Sequence, residues 1–158
     1  MRLFYGIAAC VFVLDQVTKY YVVHMLDLRL VGRIDVFPPY LNLRMAWNTG
    51  INFGLLSGEA DLTRWILIAV ALVISGVVVW WVHREPLTGW QRLTAGLLLG
   101  GALGNVVDRL IYGAVADFLN MSCCGINNPY AFNVADIAVF AGAIGLVLAP
   151  GQKTPRDL

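Results

Sequence analysis

A mainly α membrane protein, with four transmembrane helices and a small β-sheet in the first long loop, is the fold class that three observations predict. The 158-residue chain is 59% hydrophobic and 13% charged, against about 50% apolar and about 25% charged for a soluble domain. Four apolar segments recur along it, and one of them, 65–82, carries no charge at all. Between the first two lies a stretch, 25–63, whose polarity alternates at period two, the mark of a half-buried strand. The length predicts one domain. The net charge of +1 carries no nucleic-acid signature.

The elements follow in order. The first span covers about 5–24. Arg2 and the apolar run behind it imitate a signal peptide, with Ile7-Ala8-Ala9-Cys10 imitating its cleavage box. A signal peptide needs an apolar core of about 7–15 residues before cleavage, and too few precede Cys10, so a retained membrane helix is expected. In the loop 25–63, Leu26, Leu28 and Leu30 alternate with Asp27 and Arg29, and Leu41, Leu43, Met45 and Trp47 alternate with Asn42, Arg44 and Ala46. Gly32, Pro38 and Pro39 punctuate these runs. Both runs are expected to be strands of a sheet lying on the membrane surface. The second span, about 64–82, approaches the roughly 20 residues that cross a bilayer, with Trp65, Trp80 and Trp81 at the interfaces. The third, about 93–112, carries Gly96, Gly100 and Gly104 on one stripe, as close helix packing in lipid requires. A second outer loop, 113–131, follows. The fourth span, about 134–149, offers Ala138, Ala141, Gly142 and Gly145 for the same packing; it is short and is expected to start in the interface or inside protein.

Four crossings place both termini on one side and the loops 25–63 and 113–131 on the other. Asp15, Lys19, Asn48, Asp108, Arg109, Asp117, Asn133 and Asp136 then gather at one membrane face. Arg2, Arg84, Arg92, Lys153 and Arg156, against Arg29, Arg33, Arg44 and Arg64, favour cytoplasmic termini. Ionisable groups at membrane depth are costly and mark function by default. Two carboxylates brought close do not both ionise easily. The charged one takes a proton from water while the protonated one polarises a carbonyl, which suffices to hydrolyse a peptide.

Each residue also has a plainer reading. Asn133 and Asp136 have the spacing of a helix capping box, and Asp117 is on its face a loop aspartate. Asp15 and Lys19, at i and i+4, read as an intramembrane ion pair, as do Asp108 and Arg109 beside Asn105 as a polar knot. Arg109 also has the planar fork that orients a carbonyl or a carboxylate. Asn48-Thr49-Gly50 is either a turn or a hydrogen-bonding site for a substrate backbone. Gly50, Gly54, Gly113 and Gly125 beside the proposed pair suggest loops that open and close over it. A transporter would instead spread its carboxylates across the membrane depth, and a structural subunit would tolerate Asp→Asn at Asp117 or Asp136. Cys10, Cys123 and Cys124 give no disulfide or zinc spacing, His24 and His83 no metal site, and the cysteines receive no role.

Taken in order, Asp15-Gln16-Val17-Thr18-Lys19, Asn48-Thr49-Gly50 through Phe53, Gly100 through Asn105 to Asp108-Arg109, Ala116-Asp117-Phe118 and Phe132-Asn133-Val134-Ala135-Asp136 resemble the five boxes of the lipoprotein signal peptidases, bacterial intramembrane aspartyl proteases. The resemblance covers the whole chain, 1–158, as a single integral membrane peptidase domain. It implies cleavage of diacylglyceryl-modified prolipoproteins just before the lipidated cysteine, with Asp117 and Asp136 as the catalytic dyad. Asn48, Gly50, Asn105, Arg109 and Asn133 would position substrate and dyad, and Asp15, Lys19 and Asp108 would support them. The surface sheet becomes an extracytoplasmic cradle, the dyad faces the outer leaflet of the bacterial inner membrane, and the working form is a monomer amid membrane lipid. No metal or organic cofactor is implied; globomycin-type cyclic peptides are the inhibitors. Asn52 and Trp47 depart from the pattern, where a small apolar residue and a smaller or basic one, respectively, are usual.

Overall fold

The computed structural model describes residues 1–50, 60–123 and 128–149. Asn52, Phe53, Gly54, Cys124, Gly125, Lys153 and Arg156, singled out above, lie outside the described residues. Helix α1 (Arg2–Tyr20) continues through a π-helical turn (Tyr21–Met25). A single helical turn, α2 (Leu28–Val31), leads into strands β1 (Arg33–Phe37) and β2 (Leu41–Asn48). Helices α3 (Ala60–Arg84) and α4 (Gly89–Tyr112) follow, then strand β3 (Val115–Met121) and helix α5 (Val134–Val147). Among the described residues three helices, Arg2–Met25, Asp61–Arg84 and Gly89–Tyr112, are long and apolar enough to cross a membrane, and α5 is a shorter apolar helix. The cap of α5 begins inside protein, with Asn133 and Ala135 fully buried.

Helix α4 is the hub, packed against α1, α3 and α5. In lipid no hydrophobic force draws helices together, so backbones must touch. The glycine stripe does this work: a Cβ at Gly100 would stand 2.5 Å from the Ala8 carbonyl oxygen of α1. On the other flank a Cβ at Gly101 would stand 2.5 Å from the Ala135 carbonyl oxygen of α5. Gly142 leans on the Thr94 carbonyl in the same manner and Gly145 on the Thr94 side chain, whereas Ala141, expected in that seam, is exposed. Large apolar side chains such as Val17, Val73 and Phe140 point outward, as they do where the solvent is hydrocarbon.

The sheet is antiparallel in the order β1-β2-β3. Three expectations are corrected here. The run Leu26–Leu30 is not a strand: Asp27 takes a left-handed backbone (φ 47°), and Leu28 turns into a helical turn and is fully buried. Period-two alternation over five residues is also satisfied by one turn with a single buried leucine. The second correction is Asp117, which is not a loop residue but part of β3, paired with Ala46 of β2. Strand β3 is buried on both faces from Val115 to Phe118, so it shows no alternation to find. Its neighbour β2 does not alternate as expected either. Asn42 is buried and donates to Asn120 of β3 at 3.0 Å, and the register shifts between Leu43 and Ala46.

Candidate active site

Chain topology delivers the two candidate aspartates from different elements. Helix α4 ends at Gly113, whose left-handed backbone (φ 77°) reverses the chain into β3 and Asp117. After β3 the chain returns so that Phe132 pairs with Leu119, its amide donating to the Leu119 carbonyl at 2.9 Å and its carbonyl accepting from the Leu119 amide at 2.8 Å. The next residue, Asn133, therefore stands beside β3 and begins α5, and Asp136 follows one turn later.

Asn133 joins the two. Its side-chain oxygen accepts from the Asp136 amide at 2.8 Å, and its backbone amide donates to Asp136 Oδ2 at 3.3 Å, which is the capping box expected from spacing. Its Nδ2 donates to Asp117 Oδ1 at 2.7 Å. Two more asparagines complete the ring. Asn48, at the end of β2, donates from Nδ2 to Asp117 Oδ2 at 3.0 Å. Asn105 of α4 donates from Nδ2 to Asp136 Oδ1 at 2.9 Å. The orientation of all three amides is forced. Each oxygen already accepts from a group that only donates: the Gly50 amide at 3.0 Å on Asn48, Lys19 Nζ at 3.1 Å on Asn105, and the Asp136 amide on Asn133. The NH2 ends must therefore face the carboxylates.

Asp117 is 3% exposed. Burial, and then the charge of Asp136, push its carboxyl up to about 7, against the opposing pull of the Asn48 and Asn133 amides. Asp136 is half-buried. Arg109 interacts electrostatically with Asp136, Asp108 and Asp117, but forms an ion pair with none of them. Its Nη1 donates to the Asn105 carbonyl at 3.3 Å, steadying the turn that carries Asn105.

Behind the ring is a second polar cluster. Lys19 Nζ lies 2.8 Å from Asp15 Oδ2 and 2.9 Å from Asp108 Oδ2. Its third hydrogen goes to Asn105, so every donor is used. Asp15 Oδ1 accepts from the Ala135 amide at 2.9 Å, which fixes the start of α5. Asp108 Oδ2 accepts from the Ala116 amide at 3.0 Å, which fixes β3 next to Asp117. The expected i, i+4 pair of Asp15 and Lys19 is present; the partner of Asp108 is Lys19 rather than Arg109. Sequence reasoning assigned nothing to Gln16, whose Nε2 reaches Asp15 Oδ2 at 3.2 Å, Asp108 Oδ1 at 3.3 Å and the Gly104 carbonyl at 3.3 Å. The available signal was an amide beside Asp15 in an apolar helix. Trp47 packs on the Tyr112 ring, 5.3 Å between centroids.

A groove of about 390 Å³ runs from Asn105 and Arg109 along α4, walled by Leu67 and Ala71 of α3 and by Val139 and Ala143 of α5. The site thus joins two hydrogen-bonded carboxylates, one of them poised near neutrality, to an apolar trough between helices. The arrangement suits acid–base hydrolysis of a substrate that arrives through the membrane.

The signal peptidase (SPase) II family model matches residues 7–150. The chain is 38% identical over 144 residues to the lipoprotein signal peptidase of Methylorubrum extorquens, covering 90% of this chain and 82% of that one. It is 39% identical over 158 residues to that of Rhodopseudomonas palustris, covering 95% and 94%. A bacterial membrane enzyme solved by the in meso method at 1.9 Å superposes with a TM-score of 0.77 at 29% identity, over 90% of this chain and 88% of that one. A second, at 2.3 Å, gives 0.73 at 30% identity, over 90% and 83%. With fold and family model agreeing over nearly the whole length, the chain belongs to the signal peptidase II family and is an integral membrane protease.

Proposed function

We propose that this chain removes the signal peptide from diacylglyceryl-modified prolipoproteins by cleaving before the lipidated cysteine, with Asp117 and Asp136 as its catalytic dyad. The observation that carries the reading is Asn133, one residue that holds both carboxylates, by its side chain on Asp117 and by its backbone on Asp136. Asp117, raised to about 7, carries the proton that the pair shares. Asp136 takes a proton from the attacking water while Asp117 gives its own to the scissile carbonyl oxygen. The tetrahedral diol then collapses: Asp136 delivers the proton it took to the leaving amine, a diol hydroxyl returns a proton to Asp117, and the pair is again singly protonated. Any pH profile belongs to the pair.

Asn48, Asn105 and Asn133 keep the carboxylates apart and aimed. Gly50, at φ 107°, holds Asn48 from behind and approaches α3 so closely that a Cβ would stand 2.6 Å from Leu67 Cδ1. Arg109, at the groove mouth, steadies the scissile segment. Asp15, Lys19 and Asp108 support the ring. In this reading the whole chain is one integral membrane peptidase domain in the bacterial inner membrane, acting as a monomer. Helix α5 completes a fourth span, both termini are cytoplasmic, and the dyad faces the outer leaflet. The chemistry needs no metal or organic cofactor, and globomycin-type peptides block it by occupying the space between the aspartates.

The test is a gel-shift cleavage assay on a diacylglyceryl-modified prolipoprotein and its unlipidated form, with wild type, Asp117→Asn and Asp136→Asn. Cleavage of the lipidated form alone, abolished in both folded variants, supports the reading. Normal cleavage by either variant removes that aspartate from the dyad, and no cleavage of either substrate by wild type removes the substrate assignment.

A further inference from the structure

We propose that a pocket at the junction of α1, α2, β2 and α4 binds the headgroup of a zwitterionic phospholipid of the phosphoethanolamine class, its phosphate on Arg29 and its ammonium on Asp27. The pocket, of about 180 Å³, is lined by Val23, His24, Asp27, Arg29, Trp47 and Tyr112. Neither Asp117 nor Asp136 lines it, and the inference goes beyond the catalytic reading without depending on it.

Placement is the first argument. The membrane-crossing helices Arg2–Met25 and Gly89–Tyr112 both end at this pocket, so it stands at headgroup depth. Its walls carry an interfacial ring set: Trp47 on Tyr112, and His24 with its Nε2 3.0 Å from the Tyr112 hydroxyl. Tyr20, Tyr21 and Met25, at the same level, are exposed, which provides a surface for the acyl chains below the headgroup.

Charge is the second argument. Asp27 and Arg29 line one pocket with opposite signs. Yet among the described residues neither forms an ion pair, and the Asp27 side chain makes no capping hydrogen bond. A simple anion would meet the Asp27 carboxylate, and a simple cation would meet the Arg29 guanidinium. A ligand with both charges meets each with its opposite, through charge-assisted hydrogen bonds, while the rings add a face for the ammonium.

The backbone is the third. A π-helical turn (Tyr21–Met25) presents His24, and Asp27 adopts φ 47°. A left-handed backbone is uncommon outside glycine, and such outliers cluster at ligand sites. Here the two irregularities, two residues apart, bring His24, Asp27 and Arg29 to one cavity.

The test uses the full chain, delipidated in detergent, and measures retention of phosphatidylethanolamine and phosphatidylglycerol of equal acyl chains by native mass spectrometry. Wild type is expected to favour phosphatidylethanolamine by about tenfold, the value of one hydrogen bond to a charged group. Arg29→Gln is expected to lower its retention by about tenfold on the same grounds. Asp27→Asn, which tolerates a left-handed backbone, is expected to erase the preference while leaving phosphatidylglycerol retention unchanged. Equal retention of the two lipids by wild type overturns the proposal whether or not any variant folds. So do variants indistinguishable from wild type. Binding of soluble O-phosphoethanolamine without binding of the lipid overturns the membrane source of the ligand.

Discussion

The two carboxylate clusters, built within one polar region, solve the same problem in opposite ways. Behind the ring, Asp15 and Asp108 share direct contact with one cation, Lys19, whose three hydrogens are all used, and Gln16 bridges the two carboxylates. At the front, Asp117 and Asp136 receive only amide N–H donors, and Arg109 stays outside ion-pair range. One ammonium shared by two carboxylates, with every donor used, gives a rigid knot. Amide donors hold a carboxylate in place and leave its proton available. Lys19 touches both clusters, so the knot sets the orientation of Asn105 and through it of Asp136.

If that contrast is right, breaking the front abolishes chemistry without unfolding the chain. Asp117→Asn and Asp136→Asn are expected to lose about 10²–10⁴-fold in kcat, the range of general acid–base catalysis, with an unfolding temperature within a few degrees of wild type. A large fall in unfolding temperature would instead place these groups with the knot.

Breaking the back acts on stability first. Lys19→Met leaves Asp15 and Asp108 buried without a cation and is expected to cost about 3–5 kcal/mol of stability, read as a lower thermal unfolding midpoint. Replacing Asp15 as well would restore part of it. Unchanged stability would show that the cluster is not a knot.

A smaller loss is expected where helices merely touch. Gly100→Ala, whose Cβ would stand 2.5 Å from the Ala8 carbonyl oxygen, forces α1 from α4 at about 1–3 kcal/mol. Gly76→Ala, which meets nothing within 4 Å, serves as the control in the same unfolding assay.

The subtlest effect is one of pH. Activity that needs the Asp117 proton falls as pH rises through about 7. The Asn48 amide favours the charged form, so Asn48→Leu raises the carboxyl further and moves the alkaline limb of kcat/KM upward. A limb that moves down would assign the proton elsewhere.

The elements legible in the chain were those that depend on local spacing. The apolar runs marked α1, α3 and α4, the Asn133–Asp136 cap followed from three-residue spacing, and the Asp15–Lys19 pair from four. Strand β3 escaped because a strand buried on both faces shows no alternation, and the turn at Leu28 was mistaken for strand because five residues fit both periods. Gln16 was visible as a polar residue in an apolar helix, but what it bridges lies on another helix.

Sequence by itself determined the membrane-embedded class and the long apolar helices, since hydropathy is read along the chain. Tertiary structure alone decided that Lys19 rather than Arg109 pairs with Asp108 and that three asparagine amides are locked with their N–H groups toward the aspartates. Spacing along a chain cannot reach these, because Lys19 and Asp108 come from different helices and the asparagine N–H groups meet their aspartates across 16 to 69 residues of chain.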